Sequence, residues 1–196
     1  MQRKSFDRMI SWIGLTLTVL LIVAGSLLTW AHNFVGDQVR TQLSQQQIFF
    51  PKAGDESIAA PEYAEMKQYA GQQLTTGAQA QVYADVFIGN HLKAIGGGKT
   101  YSQLSHEAQA APTDTKLAGT VDSMFRGETL RGLLLNAYAF GTMGTIAGIA
   151  ALAAFIGAGI MLLLAGLGLW HSSRVREDQK VFDGHHEQIT PVTVGR

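Results

Sequence analysis

Two stretches of the chain carry no charged side chain, and they set the frame for everything between them. Met9 to Trp30 is about 22 residues long, close to the roughly 20 that a helix needs to cross a hydrocarbon core. Arg3, Lys4 and Arg8 precede it with only Asp7 opposing, while His32, Asn33 and Asp37 follow, a bias that places the N-terminus in the cytoplasm. The same start also fits a secretory signal peptide, with Thr29-Trp30-Ala31 as a small-x-small cleavage site before His32. An uncharged run of this length, however, exceeds the roughly 7 to 15 residues of a signal h-region.

The second run, Gly132 to Trp170, would be nearly 60 Å long as a helix of about 1.5 Å per residue, almost twice a bilayer core. Part of it must therefore lie outside lipid. Asn136, Tyr138, Thr142 and Thr145 give its first half a mixed character, so the span is placed at 147–170 and the first half is expected as a core helix covered by a surrounding bundle. A hairpin near Gly141 to Gly148 is the alternative, but no Pro, Asn or Asp marks a turn there, and Arg174, Arg176 and Lys180 suit a cytoplasmic tail. Trp30 and Trp170 each close an apolar run, where indole rings favour the membrane interface. The expected organisation is a cytoplasmic N-terminus at 1–8, a span at 9–30, an extracytoplasmic helical domain at 31–146, a span at 147–170 and a disordered cytoplasmic tail at 171–196.

Between the spans the periodicity is helical throughout. Phe34, Val35, Val39 and Leu43 continue the first helix outward, until Ile48, Phe49, Phe50 and Pro51 stop it. Phe49 and Phe50 are expected to cap the bundle core. Pro61 suits a first helical position, followed by Glu62 and Glu65 in the N-terminal turn and a stripe of Tyr63, Met66 and Tyr69, with Gly71 at the close. Thr75 or Thr76 can cap a helix running to about Ile95, which Gly96-Gly97-Gly98 ends. Thr100 with Gln103 fits a capping box, and Pro112-Thr113-Asp114 opens a last helix that passes into the second apolar run. No segment alternates as a strand does. The predicted fold is all-α: a two-span membrane protein whose external bundle is formed partly by outward extensions of both membrane helices.

Composition narrows the chemistry. Fifteen basic and fifteen acidic residues give no net charge, against a nucleic-acid partner, and the absence of cysteine removes disulfides, thiolate metal sites and a thiol nucleophile. Gly96-Gly97-Gly98-Lys99-Thr100 looks like the end of a phosphate-binding loop, but Lys93 stands where that motif needs its first glycine and a helix precedes it, so no nucleotide is expected. His185-His186-Glu187 has the ligand types of a non-haem iron site, yet adjacent residues rarely converge on one ion, and neither metal nor cofactor is expected. His91 and His106 lack a serine or aspartate at a catalytic spacing.

Two groups remain as candidate sites. Gly144 and Gly148 form a GxxxG, and Ala151 and Ala158 extend its small-residue surface, which lets helices approach closely, either the first span of the same chain or a neighbouring protein. Arg126, Glu128 and Arg131 form a polar cluster. It is either an ion pair on a helix surface or a pair of arginines holding a carboxylate from another helix or a ligand.

Tyr69-Ala70-Gly71-Gln72, His91-Leu92-Lys93 with Gly97-Gly98-Lys99-Thr100-Tyr101, and above all Phe125-Arg126-Gly127-Glu128-Thr129-Leu130-Arg131-Gly132-Leu133-Leu134-Leu135 resemble a group of small actinobacterial membrane proteins with two spans and a helical external region. The resemblance covers most of residues 10 to 171 and lends no established activity. It implies a bacterial plasma membrane location.

With no catalytic constellation and abundant helix-packing surface, the sequence points to a non-enzymatic accessory or assembly protein. Its partners would be the lipid bilayer and either a second copy or another membrane protein. A ligand-sensing module signalling through a separate partner is the alternative, and an extracytoplasmic enzyme using Glu128, His91 or His106 is the third reading.

Overall fold

The structure is a computed structural model and describes residues 3–174; the tail beyond, with Arg176, Lys180 and His185-His186-Glu187, lies outside the described residues. All of the regular structure described is helical. α1 is Arg3–Gln45, two 3-10 segments follow at Glu56–Ile58 and Pro61–Tyr69, and α2 (Gly77–Val82) runs through a π-helical turn (Tyr83–Ile88) into α3 (Gly89–Ile95). α4 is Tyr101–Ala110 and α5 is Thr115–Arg174, continuous through residues 141–148 where a hairpin would have broken it. α1 and α5 are both long and apolar enough to cross a membrane.

The described residues divide into two compact units, one of 3–26 with 151–174 and one of 27–150. In the first, the pairing of α1 with α5 follows a step of seven. Ser11, Thr18 and Gly25 are buried on α1, and Ala151, Ala158, Ala165 and Ser172 on α5. A repeat of seven keeps one seam facing its neighbour because it approximates two helical turns. The seam residues are small, so the backbones come close: a Cβ placed on Gly14 would stand 3.2 Å from Cβ of Ala165, and Gly168 leaves room for the Ser11 hydroxyl. That hydroxyl and the Thr18 hydroxyl donate to the carbonyls of Asp7 and Gly14, both at 2.8 Å, so neither enters the seam unbonded. Outside the seam the helices are apolar and exposed, with Leu163 at 69%.

The second unit has a conventional core of Val39, Leu43, Phe50, Ile58, Met66, Leu74, Ala80, Ala84, Ile88, Leu92, Leu104, Met124 and Leu134. Its local rules are those of its sequence. Thr76 and Thr100 make full capping boxes with Gln79 and Gln103, Asp114 accepts from the Leu117 amide at 2.9 Å, and Gly97 and Gly98 take positive φ after α3. Gln73 donates to the Ser44 carbonyl at 2.8 Å, which also accepts from the Gln47 amide at 3.2 Å, and so ties the end of α1 to the segment before α2. The π-helical turn has a packing reason: Ala80, Ala84, Ile88, Leu92 and Gly96 are all buried at steps of four. With about 3.6 residues per turn such a row drifts round an α-helix, and one wider turn resets it.

Two expectations need correction. Phe50 is buried, but Phe49 is exposed and does not cap the core. An isolated antiparallel bridge between Phe49 and Gln73, with the Phe50 amide donating to the Gln72 carbonyl at 2.9 Å, extends the backbone here and turns neighbouring side chains to opposite sides. Phe34 continues α1 as expected and is exposed, stacking on Trp30 with ring centroids 5.4 Å apart. The first half of the second apolar run is not covered on all sides either. Leu134 is buried, while Leu133, Phe140 and Met143 stay exposed, because the short helices of this unit reach only part of the circumference of α5.

Candidate functional site

The glycines of the predicted packing surface receive α1 of the same chain. Cβ atoms built on Gly144 and Gly148 would stand 3.3 Å from Cγ1 of Val35 and 2.9 Å from Nδ1 of His32. The missing side chains are the notch that admits the imidazole, whose Nδ1 lies 2.7 Å from the Gly144 carbonyl oxygen and must donate its proton to it. Ala151 and Ala158 are both buried in the first unit.

The polar cluster divides. Arg131 reaches Asp85 of the π-helical turn at 2.9 Å and Glu128 at 3.5 Å, whereas Arg126 points elsewhere and pairs with Asp122 at 2.8 Å. Hydrogen bonding to Asp85, aided by the charges of Asp85 and Glu128, raises the Arg131 pKa despite partial burial. Both partners are a third or more exposed, so solvent screening holds the Arg131–Asp85 pair to about 0–1 kcal/mol. Its role is to fix α5 against the π-helical turn. His91 is exposed with Nδ1 against the Phe87 carbonyl, and His106 is exposed on α4. Among the described residues no three His, Asp or Glu side chains gather as metal ligands.

Two hollows flank the α1–α5 contact in the second unit. The first, about 410 Å³, is apolar on its α5 wall, with Leu133, Ala137 and Phe140 beside Asn136; α1 contributes Phe34, Val35, Val39 and Leu43 together with Gln38 and Gln42, and Gln46 follows just after it. The second, about 480 Å³, combines an apolar lining with a few polar groups, and its walls come from three separate segments: His32, Gly36 and Arg40 of α1, Thr75 to Ala78 at the start of α2, and Tyr138, Gly141, Thr142 and Thr145 of α5. Glycine at Gly77 and Gly141 lets the start of α2 rest on α5, since a Cβ on Gly77 would be 3.1 Å from the Ala137 carbonyl oxygen and 3.2 Å from Cα of Tyr138. Sequence reading missed this hollow. Thr76 was legible as a cap and Tyr138 as a polar break, but nothing local ties either to Arg40.

Comparison with protein-family models, curated proteins and solved structures gives no match for this chain.

Proposed function

We propose that the chain is an integral protein of the bacterial plasma membrane, spanning it twice with both termini cytoplasmic, and that it acts as a non-enzymatic accessory or assembly protein. What supports a membrane is the surface of α1 and α5 in the first unit. Side chains such as Trp12, Ile13, Leu163 and Leu167 surround a narrow seam, and a helix that is apolar all round belongs in lipid or in a protein core that the described residues do not supply.

The observation that carries the accessory role is the exposed row Leu133, Phe140 and Met143 of the second unit, on one face of α5 at spacings of seven and three. It runs beside a stretch of α1 that carries Asp37 and Arg40, a poor sequence for lipid. The occupant that fits is an amphipathic helix of another membrane protein, apolar toward Leu133 and Phe140 and amide- or hydroxyl-bearing toward Gln38, Gln42 and Gln46. A second copy presenting its own Leu133–Phe140 row would leave those glutamines against apolar surface.

In-cell crosslinking from photoreactive side chains at Leu133 and Phe140, with one at the exposed Gln109 as control, tests this. Adducts to one membrane protein from the first two positions and not the third are expected. Self-adducts alone would replace the reading with a homo-oligomer, and no adducts at all would sink it. A ligand-sensing module is the second reading, favoured by the hollow that Arg40 lines.

A further inference from the structure

We propose that the hollow between α1, the start of α2 and α5 binds a phosphoryl-bearing anion. Its charge is one-sided. Arg40 stands in the wall with His32, and among the described residues no carboxylate lines it. Among the described residues Arg40 makes no ion pair, although Asp37 lies one turn before it. The guanidinium is therefore free to take a bidentate oxyanion.

The hydroxyls divide into occupied and available. Thr142 and Thr145 spend their protons on the carbonyls of Tyr138 and Gly141, both at 3.0 Å, whereas the Tyr138 hydroxyl makes no hydrogen bond within the described residues. Thr76 accepts from the Gln79 amide and keeps its own proton to give. Arg40, Tyr138 and Thr76, one from each wall, thus supply donors and no competing acceptor of full charge. The volume exceeds what a bare phosphate fills, and Val39, Ala78 and Gly36 give the remainder an apolar lining suited to the glycerol end of a phosphate diester.

One chemistry here has two sources. The uncharged run of α1 ends at Trp30, two residues before His32, so if α1 crosses the bilayer the hollow stands at headgroup depth and the ligand is an anionic phospholipid. That source rests on the membrane reading above. The other source is a soluble phosphate compound, which does not.

The full chain, reconstituted in nanodiscs of equal phosphatidylglycerol and phosphatidylcholine, is extracted and its retained lipid counted by native mass spectrometry. In parallel, the detergent-solubilised chain is titrated with inorganic phosphate and followed by thermal shift. Two variants address the hollow. Arg40→Gln removes the charge, and Gly36→Leu fills the space from a position where a Cβ meets nothing within 4 Å and where leucine improves helix propensity, so folding is kept. Arg126→Gln is the control. Selective retention of phosphatidylglycerol, reduced about tenfold by either variant and not by the control, supports the lipid source, tenfold corresponding to one lost charge-assisted contact. Saturable stabilisation by phosphate without lipid selectivity, lost in Arg40→Gln, supports the soluble source even if the membrane reading fails. Neither response, or responses that survive both variants, overturns the proposal.

Discussion

Gly77 shows how a single residue sets the spacing of this molecule. Its hydrogen occupies the place where a Cβ would press on backbone of α5, at 3.1 to 3.3 Å from the Ala137 carbonyl, Cα of Tyr138 and Cα of Gly141, and backbone yields less readily than a side-chain end. Gly77→Ala is expected to cost about 1–2 kcal/mol, read as a drop of a few degrees in thermal unfolding, because overpacking at a rigid contact outweighs the gain in helix propensity. Tyr83 gives a second test. Burial against Phe50 and Phe87 disfavours its phenolate and raises its pKa above the ordinary 10.0. The folded state therefore holds this proton more tightly than the unfolded one. The resulting stability is fully present below pH 10 and is lost as pH rises through the folded value. Tyr83→Phe should flatten the alkaline limb of stability against pH, and phenolate absorbance should show one tyrosine titrating late in the native protein. Arg131, raised for a different reason, titrates too high to contribute.

At the scale of elements, the caps were legible and the packing partners were not. Thr76, Thr100 and Asp114 were readable as helix starts and Gly96 to Gly98 as a stop, since each acts within about four residues of itself. The π-helical turn was invisible, because it answers to a buried row of four-residue steps that only α5 and the 3-10 segments make necessary. The seam of the first unit is in between. Its small residues stand in the sequence, but their fit to α1 depends on both helices at once. Ala165→Leu should be felt strongly there, with Gly14 already at contact distance, and is expected to destabilise by about 1–3 kcal/mol. Leu163→Ala, on the exposed surface of the same helix, should change little. Thermal unfolding in one detergent checks both, and equal effects would mean that the seam does not hold the pair.

For the whole molecule, the absence of native cysteine makes topology directly measurable. Gln109→Cys is expected to react with an impermeant thiol reagent on intact cells, and Ser5→Cys only after permeabilisation. The reverse pattern would invert the orientation, and reaction of both on intact cells would remove the two-span arrangement.

By itself the sequence determined the helical class, the caps and stops, and two apolar helices of spanning length, because hydropathy and capping are properties of short windows. It placed Phe49 with Phe50 and Arg126 with Arg131, since neighbours in sequence look alike to a rule that counts residues. Tertiary structure separated each pair. Phe50 went inward and Phe49 outward through the bridge to Gln73, and Arg131 found Asp85 while Arg126 stayed with Asp122. It also decided that α5 keeps an uncovered apolar row and that Arg40, Thr76 and Tyr138 share one hollow. Those outcomes depend on which faces of distant segments meet, and no local window carries that information.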